Sequence, residues 1–313
     1  MQSKRNLIAD QVMAVAYSGF REGQHPDRGE GANNPSKQEI LEDLHILIEH
    51  NFTLIRLYDS GQNSADTLSL IRQHQLPIKV LLGIWLDAEI SNHDGCPWLT
   101  EPISESVLSK NKLQNGHEIE RAISLANDYA DIIVSVNVGN EALVSWNDHM
   151  VPVDTVIDYV KLVKQHIQQP VTVAENYAWW IEHGQALANI VDYIGVHTYP
   201  MWEHKLIEEG LAYTLDNIHR VHEALPQKPI AVLEGGWATT AEEFPEQANC
   251  MNQQTYFEQV YQWANKANIT FFFFEAFDEP WKGHPDAIHG AEKHWGLFYV
   301  DRTPKQVMKR LEK

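Results

Sequence analysis

Short apolar runs and longer amphipathic segments alternate along this chain, and that alternation restricts the folds open to it. Eight runs read as buried strands: 13–20, 53–59, 78–85, 132–141, 171–180, 193–200, 229–237 and 269–279. They are rich in Val, Ile, Phe and Tyr and nearly continuous, as parallel strands covered on both faces must be. Helical patterns lie between them at 36–50, 64–74, 118–129, 154–168, 207–224 and 252–266, with a last one at 304–313. The first opens on Ser36 with Glu39 three residues later, the signature of a capping box. The last opens on Pro304, suited to a first helical turn. Strand–helix alternation of this length predicts an α/β fold, a single-domain (β/α)8 TIM barrel over residues 1–313. A doubly wound sheet would show fewer repeats and a Gly-rich phosphate turn after its first strand. Here that strand ends Ser18-Gly19-Phe20, with no GxGxxG and no Walker lysine. No internal repeat or low-complexity linker divides the chain.

Charge narrows the partners. Forty-three acidic residues against 24 Lys and Arg leave a net charge of −19, which repels phosphate backbones and anionic lipid. Neither a nucleic acid nor a membrane is therefore expected as a partner. No apolar run reaches the roughly 18 residues of a membrane helix. The densest basic stretch, 305–313, reads as a solvated helix. Residues 1–10 lack the apolar core of a leader, which leaves the cytoplasm open, and equally export after removal of a leader. Cys96 and Cys250 have no CxxC or Cys/His spacing and read as free thiols. Sixteen histidines occur without HExxH, so neither a metal nor a cofactor is expected.

The carboxylates carry the chemistry. Strand 4 ends Val138-Gly139-Asn140-Glu141, strand 7 ends Leu233-Glu234-Gly235-Gly236-Trp237, and strand 8 runs into Glu275-Ala276-Phe277-Asp278-Glu279-Pro280-Trp281-Lys282. A carboxylate after an apolar run is costly to bury unless it is bonded, paired or used. Barrels gather their strand ends at one C-terminal rim, where active sites lie. Glu141 and Glu234 fall on strands 4 and 7, facing each other across that mouth. Two carboxylates so placed suit cleavage of a glycosidic bond, one protonating the leaving oxygen and the other attacking the anomeric carbon. Two long connections, 21–35 and 87–113, emerge at the same rim and read as walls of a cleft. Aromatics cluster at the strand ends, and flat rings suit the CH faces of sugars. Trp237 is the leading stacking candidate, followed by Trp202 and Trp281, with Tyr177 and Phe277 also placed at the rim.

These motifs, together with the closing His294-Trp295-Gly296-Leu297-Phe298, resemble glycoside hydrolase family 17 in its bacterial and fungal branches. The resemblance runs from Ile55-Arg56-Leu57-Tyr58 to Phe298. It implies a retaining β-1,3-glucanase or a β-1,3-glucanosyltransferase acting on β-glucan oligo- or polysaccharides, with no cofactor. The remaining alternatives are a silent glucan-binding barrel, against which the presence of both glutamates argues, and a barrel glycosidase acting on β-1,4-glucan or mannan, against which the strand 8 motif speaks. The resemblance implies Glu141 as acid/base and Glu234 as nucleophile. By the same likeness Asn140 bonds the sugar 2-OH or the nucleophile, Tyr199 donates its hydroxyl to Glu234, and Tyr58 sits at the end of strand 2 beside Arg56. Glu275, Asp278, Glu279 and Lys282 form an ionic group on strand 8, with Glu279 and Lys282 placed to contact the reacting sugar. The chain departs from the family at His197-Thr198-Tyr199-Pro200, where many relatives carry Asn before Tyr-Pro, and at Gly235-Gly236-Trp237-Ala238-Thr239 after the second glutamate.

Overall fold

The computed structural model describes residues 7–27 and 31–309. Eight parallel strands close into a barrel in sequence order: β1 Met13–Ala16, β2 Leu54–Arg56, β3 Lys79–Ile84, β4 Ile133–Asn140, β5 Val171–Asn176, β6 Ile194–His197, β7 Ile230–Gly235 and β8 Phe271–Phe273. β1 pairs with β8 to complete the ring. The helices are α1 Lys37–Glu49, α2 Gln62–Gln73, α3 Glu105–Asp128, α4 Val153–His166, α5 Tyr177–His183, α6 Gln185–Ala188, α7 Ile207–Ala224, α8 Cys250–Ala267 and α9 Gln306–Lys309. The capping box at α1 forms in both directions, Ser36 Oγ accepting from the Glu39 amide and Glu39 Oε2 from the Ser36 amide. Among the described residues no helix is long and apolar enough to cross a membrane.

Three expectations need correction. The fifth run does not stay extended to 180. Asn176 Oδ1 caps the amide of Ala178 at 2.8 Å and turns the chain into α5, so Tyr177 starts a helix. The connection after β3 is shorter than 87–113, because α3 already begins at Glu105. The basic C-terminal stretch is not wholly solvated: Lys305 is buried, its ammonium 2.7 Å from Asp278 Oδ1. Of that stretch, only 310–313 lie outside the described residues, as do 1–6 and 28–30 elsewhere in the chain.

Two layers inside the barrel position the site. Successive strand residues face opposite sides, so alternate residues point inward. The lower layer is apolar: Leu54, Leu81, Ala174, Ala231, Leu233 and Phe272 form one cluster with Ile8, whose amide donates to Thr270 Oγ1 below β8. A larger cluster fills the space between strands and helices. Nearer the C-terminal ends the interior turns polar, with Arg56, Asn137, His197 and Glu234 all buried. Cys96 and Cys250 are free thiols.

Candidate active site

Glu141 is aimed by an irregular strand end. The β4–β5 register shifts between Asn137 and Asn140, and Gly139 takes φ +79°. Glu141 itself has φ +48°, a left-handed conformation that costs a side-chain-bearing residue about 1–2 kcal/mol. Its amide is fixed on Ala174 O at 2.8 Å and its carbonyl by Asn147 Nδ2 at 3.1 Å. Behind it, buried Glu175 accepts from the Leu143 and Asn176 amides. Burial, then the neighbouring Glu141, push the Glu175 carboxyl well above the usual carboxylate range.

Glu234 ends β7 and is 5% exposed. Four side chains surround its carboxylate. Arg56 Nη1 donates to Oε1 at 2.7 Å, the Tyr58 hydroxyl to Oε1 at 2.9 Å and the Tyr199 hydroxyl to Oε2 at 2.6 Å. His197 Nδ1 lies 3.4 Å from Oε2. Burial alone would raise the carboxyl's pKa. His197 and Arg56, with the two phenols, outweigh it and hold the group below its ordinary value. Burial and Glu234 raise both phenols well above the ordinary tyrosine value, so both remain hydroxyl donors.

His197 Nδ1 also stands 3.0 Å from Glu141 Oε1. One ring atom therefore touches both carboxylates. Those two contacts bring the facing oxygens of Glu141 and Glu234 together at a single point of the rim. Arg56 Nη2 donates to Asn140 Oδ1 at 2.6 Å, which orients that amide and leaves its nitrogen as the donor.

Beyond β8, Lys282 Nζ sits 2.7 Å from Glu275 Oε2 and 2.8 Å from Glu279 Oε2, and Ser18 Oγ donates to Glu279 Oε1. Burial, then Glu279, raise the Glu275 carboxyl well above its ordinary value. Burial also works to raise Glu279, but Lys282, Glu275 and Ser18 outweigh it and hold the group low. Asp278, expected in this group, points elsewhere, accepting from Lys305 and from the Gly296 amide.

The aromatic expectations divide. Trp202 is 37% exposed and continues an aromatic path through Trp295 and Tyr199, with centroids 6.0 and 5.3 Å apart. Trp237 is fully buried. Its ring packs on Tyr256 and its Nε1 donates to Gln247 O, so it is a core residue and offers no face to a sugar. Phe277 is likewise core, between Tyr17 and Phe298 with Arg302 over its ring. Tyr177 is half-buried, its hydroxyl on that of Tyr213 at 2.7 Å. The connection after β1 and the segment after β8 enclose a 460 Å³ cavity lined by Glu22, Gln24, His25, Pro280 and Trp281, among others. The connection after β3 is tied to the one after Glu141 by Asn92 Nδ2, which donates to Ser145 O and Asn147 O.

Two participants were missed in the sequence. His197 stands two residues before Tyr199, and strand parity alone could have turned it inward. Glu292 lies on a short turn, Ala291–Lys293, with its Cβ against Gly283. Its carboxyl is raised, first by burial, and it feels Lys282, Glu234 and Glu141. No periodic pattern marks it. Among the described residues no group of three or more His, Cys, Asp or Glu is arranged to hold a metal.

A closed (β/α)8 barrel carrying paired carboxylates at one rim is a glycosidase architecture, and the homologues make this chain a glycosidase. Residues 14–296 match the BtgE/BtgC glycoside hydrolase domain, and the chain belongs to that family. It is 26% identical over 313 residues to the glucan 1,3-beta-glucosidase of Arthroderma benhamiae, covering 94% of this chain and 91% of that one. It is 23% identical over 301 residues to the probable glucan endo-1,3-beta-glucosidase btgC of Aspergillus fumigatus. That match covers 88% of this chain but only 40% of the relative's length. The endo-laminarinase from Formosa Hel1_33_131 superposes with a TM-score of 0.82 at 26% identity, over 99% of this chain and 89% of that one. An active-site mutant of the Rhizomucor miehei beta-1,3-glucanosyltransferase in complex with laminaritriose shares the fold. Its TM-score is 0.73 at 18% identity, over 97% of each chain.

Proposed function

We propose that this chain is a retaining glycoside hydrolase of family 17 that cleaves β-1,3-glucan, with residues 1–313 acting as one catalytic domain. Glu234 is the nucleophile and Glu141 the acid/base. In the first step a Glu234 oxygen bonds to the anomeric carbon as the bond to the leaving oxygen breaks, and that oxygen takes the Glu141 proton. In the second step a water oxygen bonds to the same carbon, the ester bond to Glu234 breaks, and Glu141 takes the water's proton.

The observation that carries this reading is the contact of one imidazole nitrogen with both carboxylates, which supports two acids close enough to act on one anomeric carbon. The electrostatics agree: Glu234 is held ionised among four polar side chains, as a nucleophile must be. Asn140 and Tyr58 border the sugar that reacts, and Trp202 offers an exposed indole further along the rim. The choice of β-1,3-glucan rests on the names of the relatives, a glucan 1,3-beta-glucosidase and an endo-laminarinase among them. Family 17 rests on the motif resemblance, and a family 17 glucanosyltransferase shares the fold.

The charge map favours a neutral sugar. Arg56 is matched by Glu234, and Lys282 by Glu279. Neither Arg56 nor Lys282 is left unmatched to receive the carboxylate of a uronic acid. Incubation with linear β-1,3-gluco-oligosaccharides, read by product size, tests the proposal. Shorter products mean hydrolysis, longer ones mean glucanosyl transfer, and monomer alone means exo action. Glu234→Gln should abolish turnover with the fold intact. No reaction of the wild-type chain on β-1,3-glucan, alongside turnover of a β-1,4-glucan, would refute the substrate assignment.

A further inference from the structure

His197 is the buried titratable group between the two glutamates, and the mechanism above gives it no task. Period-two alternation on β6 turns its ring into the barrel, one layer beneath Tyr199, and the residue is fully buried. Arg56 faces it from β2, Glu141 from the end of β4 and Glu234 from β7. Tyr58 and Tyr199 close the circle on Glu234, and Glu175 of the adjoining β5 stands behind Glu141.

The hydrogen bonds assign the ring's tautomer. Nε2 lies 3.3 Å from Arg56 Nη1. A guanidinium has donors only, whereas Nδ1 faces two carboxylates, so the ring's proton sits on Nδ1. The single Nδ1–H has two acceptors in reach, Glu141 Oε1 at 3.0 Å and Glu234 Oε2 at 3.4 Å.

We propose that His197 is a positioning residue whose one Nδ1–H follows the negative charge from Glu234 to Glu141 during the reaction. This rests on the retaining reading of the two glutamates. Before the first step Glu234 is anionic and Glu141 carries the proton, so the N–H serves Glu234. Once the sugar has esterified Glu234 and the leaving oxygen has taken the proton, Glu141 is the anion and the N–H serves Glu141. When water displaces the ester and Glu141 regains a proton, the N–H returns. His197 gains and loses no proton, and the pair carries one negative charge at either end of each step. The two clients are not equally dependent. Glu234 keeps Arg56, Tyr58 and Tyr199 without His197, whereas among the described residues Glu141 has only Asn147 Nδ2, at 3.3 Å from Oε2. Loss of the N–H is therefore felt where charge develops on Glu141.

The test compares His197→Ala and His197→Phe, which remove the donor, with His197→Asn, whose amide nitrogen replaces Nδ1–H. The Phe variant keeps the ring's bulk in case the Ala variant does not fold, and thermal melts verify each fold. For laminari-oligosaccharides, kcat/KM of the donor-less variants should fall about 10- to 100-fold, the worth of a hydrogen bond to a developing charge. An activated 2,4-dinitrophenyl β-laminaribioside, whose departure needs no proton, should lose much less. The alkaline limb of kcat/KM on 4-nitrophenyl β-laminaribioside should move to higher pH, because an N–H donor favours the ionised carboxylate. His197→Asn should restore most of the rate and the original limb. Equal losses on all three substrates with an unmoved limb, or an Asn variant as impaired as the Phe variant, would overturn the proposal. Glu141→Gln on the 4-nitrophenyl substrate separates the two levels. If the alkaline limb survives in that variant, the acid assignment itself is wrong. If it vanishes there while the His197 variants leave the limb in place, only the role of His197 is wrong.

Discussion

Replacing Arg56 by methionine should reverse the way pH affects stability through Glu234. In the wild type the Glu234 carboxyl is held below its ordinary value: burial raises it, but His197, Arg56, Tyr199 and Tyr58 outweigh that. A lowered folded-state pKa gives stability that is present above the unfolded value of about 4.3 and lost on acidification. Arg56 is fully buried and reaches Glu234 at 2.7 Å, so its removal leaves a carboxylate at 5% exposure without its cation. Breaking a buried pair in this way costs about 3–5 kcal/mol, a large part of a typical total stability. Burial, the largest single influence, is then opposed by His197 and the two phenols without the guanidinium, and the folded-state pKa should move above the unfolded one. The sign follows: stability is greatest while Glu234 is protonated and falls as pH rises through the new value. Urea unfolding of both proteins at pH 4.5 and 7.5 reads this directly. The gap between wild type and Arg56→Met should widen at the higher pH, and adding Glu234→Gln should recover much of it by removing the stranded charge. A gap of equal size at both pH values, or a double variant as unstable as the single one at pH 7.5, would refute the reasoning.

Two other substitutions probe the site. Glu141→Ala should abolish cleavage of laminari-oligosaccharides yet retain release of 2,4-dinitrophenol from the activated glycoside, since that leaving group needs no proton; equal loss on both would reject the acid role. Trp202→Ala should raise KM for long oligosaccharides with little change in melting temperature, because its indole is 37% exposed, whereas Trp237→Ala should cost about 3–5 kcal/mol of stability as a fully buried side chain does. Calorimetry and steady-state kinetics on both variants check the contrast, and the opposite pattern would reassign the two tryptophans.

The barrel was legible because parallel strands covered on both faces leave near-continuous apolar runs that no helix period explains. Their C-terminal limits were less legible. At 177–180 the apolar run continues unbroken while Asn176 caps a helix, and composition does not register that turn. The two glutamates stood out because acids after apolar runs are costly to leave unused. Trp237 and Phe277 misled for the converse reason. Just beyond a strand, a ring that faces the cleft and one that packs beneath the rim follow the same residue pattern. Here Tyr256 covers the first and Tyr17 and Phe298 enclose the second. His197 needed the register of β6 counted back from Tyr199. Glu292 needed the path of an irregular turn, which carries no period to read.

Proton NMR of the anomeric region, recorded in the first minutes of cleavage of a laminari-oligosaccharide, bears most directly on the pairing of Glu141 with Glu234. Attack by Glu234 followed by water gives two inversions at one carbon, so the first sugar released from a β-glucan should appear as the β-anomer and only later mutarotate. An initial α-anomer would mean a single displacement by water, and the double-displacement roles given to the two carboxylates would be wrong.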